Sequence, residues 1–125
     1  MRISTRCDRL APAVVREALA DLPHGGYGWV LGDAMLVASE LVSNAVRHSC
    51  CGEDQTLTVD LRRAADSLEI SVSDPGTSGK RAKLADRPIG GGGLGLKVVD
   101  QLSTRWGSER RDQGYRVWAR LPLPA

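Results

Sequence analysis

Phenylalanine is absent from this 125-residue chain, and aromatic residues make up only 4% of it. Any core must therefore be packed from aliphatic side chains. An excess of one charge is missing too: 17 Lys and Arg stand against 15 Asp and Glu, for a formal +2. That is far from the clustered basic footprint of nucleic-acid binding, so no direct nucleic-acid contact is expected. Cysteines are few, with Cys7 remote from the adjacent Cys50 and Cys51. An odd number without a CxxC pair makes no disulfide framework, and free thiols are expected. His48-Ser-Cys50-Cys51 lacks the second ligand pair a structural metal site needs. No apolar run exceeds about five residues, against the ~20 that span a bilayer. The start, Met1-Arg-Ile-Ser-Thr-Arg6, has no apolar signal region. A cytoplasmic protein with no membrane contact is the expectation. With no internal repeat or dividing linker, residues 1–125 read as one domain.

What is present is a hydrophobic period that changes along the chain. Val15, Leu19 and Leu22 fall on one helical row between Pro12 and Leu22, which Pro23 and Gly25-Gly26 close. Asp33 is placed as the N-cap of a second helix running through Met35 to His48, with Val37, Leu41 and Ala45 in one row. Period two then takes over. Leu57, Val59 and Leu61 alternate with polar residues, as do Leu68, Ile70 and Val72, and the short join at 64–67 predicts a hairpin. Residues 75–93 hold six glycines, two prolines and four basic residues against one acid, which predicts a long, positive, mobile loop. A third helix begins at Leu94, with Val98 and Leu102 in its row, and residues 105–107 and 115–121 read as a terminal hairpin around Asp112-Gln113-Gly114. The predicted class is α+β, a two-layer sandwich.

Three constellations carry chemistry. Glu40, Asn44 and His48 stand four residues apart on the second helix and so share one ridge, flanked by Ser43 and Arg47. An amide oxygen is a hard ligand suited to Mg2+, and a carboxylate one turn away can position or deprotonate a nucleophile. A solvated helix face is the plainer reading of that ridge. Asp74 shares the parity of Leu68, Ile70 and Val72, so it points to the core side at a strand end that Pro75 and Gly76 break. There it could accept a hydrogen bond from a bound amine, or merely cap a turn. Gly90 to Gly93, followed by Leu94 and Gly95, leads into a helix N-terminus, where free N–H groups favour phosphate. The run satisfies GxGxxG literally but follows a polar loop instead of a strand, so it is not a dinucleotide fingerprint. Nor is it a P-loop, because Lys97 is followed by Val.

The order of the three is more specific than any one. Glu40-Leu-Val-Ser-Asn44-Ala-Val-Arg-His48, then Asp74-Pro-Gly76, then Gly91-Gly-Gly93-Leu94-Gly95 resembles the N, G1 and G2 boxes of the GHKL ATPase superfamily of gyrase, heat-shock chaperone, histidine kinase and mismatch-repair ATPases. Within it, the short length and the S-E-L-x-x-N-A-x-x-H pattern at 39–48 resemble the anti-sigma-factor serine/threonine kinases. The resemblance implies a Bergerat α/β sandwich, a mainly antiparallel mixed sheet with helices on one face, holding ATP and Mg2+ beneath a glycine-rich lid. It implies Glu40 as catalytic base, Asn44 as Mg2+ ligand and Asp74 as partner of the adenine amino group, with Gly76 giving the base room. Gly91, Gly93, Leu94 and Gly95 would wrap the phosphates, and His48 matches a frequent residue of the N box. It further implies phosphorylation of a serine or threonine on a small STAS-domain antagonist and sequestration of a sigma factor, and it allows a homodimer. The alternative is a nucleotide-dependent interaction module without phosphotransfer. Two departures stand out: the second G1 glycine, Gly79, comes one place late, and Tyr115-Arg116 replace a Thr pair common in relatives. The second removes the usual hydroxyl beside the adenine-binding carboxylate.

Overall fold

A computed structural model describes residues 1–22, 30–48, 54–75, 94–111 and 114–123. Its elements are β1 (Arg2–Arg6), α1 (Ala11–Ala20), α2 (Val30–His48), β2 (Thr56–Arg63), β3 (Ser67–Asp74), α3 (Leu94–Leu102), β4 (Arg105–Arg111) and β5 (Gly114–Pro122). The strands form one sheet in the order β1-β2-β3-β5-β4, and all four pairings are antiparallel. The expected two-layer α+β sandwich is the one observed.

Alternation sets the two faces of the sheet. Leu57, Val59 and Leu61 on β2, Leu68, Ile70 and Val72 on β3, and Val117, Ala119 and Leu121 on β5 are buried beneath the helices. Successive strand side chains point to opposite faces, so their neighbours face away from the helix layer. On that open face lie Arg2 and Arg6 of β1, Arg62 of β2, Arg116 and Arg120 of β5, and Arg105 and Arg111 of β4. Asp60, Glu69 and Glu109 are its three carboxylates.

The predicted hairpin of β2 and β3 is present: Arg63 pairs with Leu68, and the Ala64 N–H donates to the Ser67 carbonyl at 2.8 Å. Strand β1 was not foreseen. It holds only two inward positions, Ile3 and Thr5, and it exists by pairing with the edge of β2, from Arg2 opposite Asp60 to Arg6 opposite Thr56. Met1, just before the strand, extends the pairing: its ammonium donates to the Leu61 carbonyl at 2.9 Å and the Leu61 N–H donates to the Met1 carbonyl at 2.8 Å.

Helix α1 buries Ala11, Val15 and Leu19 one turn apart. It stops at Ala20, short of the predicted Leu22, which nevertheless packs against the core. Helix α2 starts at Val30, so Asp33 lies inside its first turn and is not the N-cap. The reason is burial: Val30, Leu31 and Ala34 continue the apolar face of Val37, Ala38, Leu41, Val42 and Ala45, and that continuity outweighs a capping preference worth about 1 kcal/mol. Asp33 still complements the positive helix end. In α3 Leu102 of the predicted row packs against the core, while the fully buried residue is Val99 and the neighbouring Val98 is half-buried. The Trp106 indole N–H donates to Asp100 Oδ1 at 2.8 Å, which fastens α3 to β4.

Cys7 is buried and not in a disulfide, as expected, whereas Cys50 and Cys51 lie outside the described residues. No helix among the described residues is long and apolar enough to cross a membrane.

Candidate functional site

Helix α2 packs against both β3 and α3, so the three elements that carry the sequence-predicted residues are mutual neighbours through it. Glu40, Asn44 and His48 occupy successive turns of α2, and the Cβ atoms of residues four apart on a helix, here Glu40 and Asn44, stand about 6 Å from one another. Glu40 and Asn44 are half-buried, between the buried Leu41 and Ala45 on one side and solvent on the other. The ridge therefore runs along the border of the core and is more sheltered than a solvated helix face. Beside it, the Arg47 guanidinium donates to Ser43 Oγ at 3.4 Å, across one exposed turn. His48 is the last residue of α2.

Asp74 ends β3 on the helix-facing side, as its parity predicted, and is only 8% exposed. A carboxylate there is costly unless polar groups surround it. The strand has buried it at the point where the chain leaves the sheet, between the two layers. Leu94 and Gly95 are the first two residues of α3, so their backbone N–H groups are among those that lack an acceptor within the helix. Gly76, Gly91 and Gly93, together with the loop predicted to be a lid, lie outside the described residues.

Strand register adds two residues that motif reading undervalued. Tyr115 is the direct partner of Asp74 across β3 and β5, and it is buried on the same face. Its phenol oxygen accepts a hydrogen bond from the Arg110 guanidinium at 3.1 Å, and the same guanidinium carbon lies 5.6 Å from the ring centroid. The hydrogen bond thus ties the Tyr115 hydroxyl to β4, on the far side of β5 from β3. Gly114, one residue earlier, has φ of +156°, and a Cβ built there would stand 1.8 Å from the Asp74 carbonyl oxygen. Only glycine lets β5 begin this close to Asp74. The alternation of β5 was legible, but which residue stands opposite Asp74 is a property of register, which no local pattern states. Arg116, the other departure, turns to the open face and pairs with Glu69 and Glu109.

The donor set suits an adenine nucleotide better than a bare metal ion. A buried carboxylate accepts from an exocyclic amine, an amide oxygen one layer away is a hard ligand, and free N–H groups at a helix start favour phosphate. Among the described residues no group of three or more His, Cys, Asp or Glu could hold a metal by itself. A Mg2+ ion held by Asn44 would therefore complete its coordination with phosphate oxygens and water.

Residues 30–125 match the family model described as histidine kinase-, DNA gyrase B-, and HSP90-like ATPase. Serine-protein kinases RsbW of Listeria monocytogenes and Listeria innocua are 33% identical to it over 82 residues, covering 56% of this chain and 52% of theirs. The chain thus spans about half the length of the curated relatives it matches. Among solved structures, the RsbU and RsbW domains of Rv1364c from Mycobacterium tuberculosis superpose over 100% of this chain and 34% of that one, with a TM-score of 0.63 at 19% identity. The Acinetobacter baumannii histidine kinase AdeS covers 76% of this chain and 48% of its own, with a TM-score of 0.51 at 17% identity. At such identities the two structures speak for the fold alone.

Proposed function

Because the chain belongs to the histidine kinase-, DNA gyrase B-, and HSP90-like ATPase family, we propose that it binds Mg-ATP between its helix layer and the Asp74 end of its sheet. We further propose that it is a serine-protein kinase of the anti-sigma-factor type, acting on a serine or threonine of a small STAS-domain antagonist and holding a sigma factor when that antagonist is unavailable. The observation that carries the nucleotide reading is the buried Asp74, which closes the interlayer end of β3, beside a helix whose half-buried ridge bears Glu40 and Asn44. Similarity to the RsbW kinases supports the kinase reading.

When bound, Mg-ATP would supply the transferable phosphoryl group. The chain's own contribution is position and charge. The Asp74 carboxylate accepts from the adenine amino group, while the carbonyl that guanine presents at the same place would meet only repulsion. Asn44 holds the metal, and the first N–H groups of α3, with Gly91 and Gly93 before them, hold phosphate oxygens. Glu40 orients the partner's hydroxyl and takes its proton, a contribution of about 100-fold or more.

Glu40→Gln tests the kinase reading. Its half-buried site tolerates an amide of the same size, so Mg-ATP affinity by titration calorimetry should stay nearly unchanged. Transfer of labelled phosphate to cognate STAS proteins should fall at least about 100-fold. Wild-type protein that forms ATP-dependent complexes with those proteins, yet transfers no phosphate to any of them, would support the interaction module instead.

A further inference from the structure

The open face of the sheet carries seven arginines and three carboxylates among the described residues, whereas the whole chain has a formal charge of only +2. Among the described residues this face thus gathers more positive charge than the whole chain's formal excess, on the side away from the helices. The arginines are organised by the acids between them. Arg116 pairs with Glu69 and, at 3.4 Å, with Glu109, while Arg120 reaches the second oxygen of Glu69 at 3.3 Å. At the edge, the hydrogen bond and charge of Asp60 raise the pKa of Arg2 above its ordinary value, across a contact of 2.9 Å. Exposed Arg62 and Arg105 form no ion pair among the described residues. A polar pocket of about 150 Å³ opens where Arg62, Arg111 and Arg116 converge over Glu69 and the buried Ser71. Beside it the Trp118 indole packs close to Gly107, where a Cβ would come within 3.3 Å of the ring, and the Arg120 guanidinium carbon lies over the ring 5.6 Å from its centroid.

We propose that this face docks an acidic protein surface, with a partner carboxylate entering the pocket beside Arg62 and Arg111. Charge complementarity identifies the occupant. Arginine presents a rigid fork that matches carboxylates in pairs, and Arg with Trp is the composition in which interface energy concentrates. Glu69, Glu109 and Asp60 hold the forks in place at little cost to a partner whose charges are discrete side chains. The same carboxylates repel a continuous phosphate backbone, which disfavours nucleic acid. A second copy of the chain would bring an equal positive excess to the contact.

The test uses the whole chain and a fluorescent peptide of alternating Glu and Ser, followed by anisotropy. The wild type should bind it saturably, with affinity falling as salt rises. The double variant Arg62→Glu/Arg111→Glu should lose at least about tenfold, and Arg62→Ala/Arg111→Ala an intermediate amount. A charge-matched control on exposed α1-side positions, Arg9→Glu/Arg16→Glu, should bind like wild type. Circular dichroism verifies that each variant is folded, and all substituted side chains are solvent-exposed. Equal losses in the control, or tighter binding of random-sequence duplex DNA than of the peptide, would overturn the proposal. So would sedimentation showing a wild-type dimer that Arg62→Glu/Arg111→Glu converts to monomer, since the face would then belong to a second copy.

Discussion

The two faces of the sheet are made by alternate residues of the same strands, yet they obey different physics. On the helix side, Ile70, Val72, Val117 and Ala119 are buried beneath the helix layer, where α2 packs on β3 and β5, and the one acidic residue on that side of β3, Asp74, stands at its exit. On the other side, Glu69, Arg116 and Arg120 are polar, paired and partly in water. Burial scales with apolar area removed from water, while exposed ion pairs contribute little. Stability therefore resides mainly between the layers. The open face is then free to vary its charge, and the rim where the layers part can hold a carboxylate that a sealed core could not.

The sharpest way to break this contrast is to empty a position on the sealed side. Ile70→Ala removes a side chain that is fully buried and should cost about 3 kcal/mol, read from the shift of a urea unfolding midpoint. A loss under about 1 kcal/mol would mean the interlayer core does not carry the fold.

Gly114→Ala comes next, because it acts at the border between the two regimes. The new Cβ would collide with the Asp74 carbonyl, so the start of β5 must shift. We expect about 2 kcal/mol of destabilisation, together with weaker nucleotide binding than in an equally destabilised core variant. Unchanged affinity would detach Gly114 from the site.

The smallest effect belongs to the open face. Arg116→Met removes contacts to Glu69 and Glu109, of which the first is partly sheltered, with side chains 16% and 21% exposed, and should cost about 1 kcal/mol. A loss as large as that of Ile70→Ala would place structural weight on the ion-pair network and erase the contrast.

Much of this architecture can be read locally, because alternation and helical rows are statements about neighbours in sequence. Leu57 to Leu61, Leu68 to Val72 and the row Val37, Leu41, Ala45 all face the core as their period requires, and Asp74 follows from the same parity. What escaped depends on distant partners. Strand β1 has too few inward residues to signal itself and forms only because β2 offers an unpaired edge. The start of α2 was set by burial of Val30 and Leu31, which outweighed the capping chemistry of Asp33. Which residue stands opposite Asp74 is set by register, which puts Tyr115 there and turns Arg116, the other half of the same departure, to the opposite face.

If Asp74 reads the base of a bound nucleotide, ATP and GTP must bind with different affinity. Titration calorimetry of wild type with Mg-ATP and Mg-GTP, repeated on Asp74→Asn, compares a carboxylate that accepts from an amine with an amide of nearly the same shape. Wild type should prefer ATP by at least about tenfold, and Asp74→Asn should lose most of that preference while remaining folded. Equal affinity of wild type for the two nucleotides, or an Asp74→Asn variant that binds ATP as tightly as wild type, would contradict this role of Asp74.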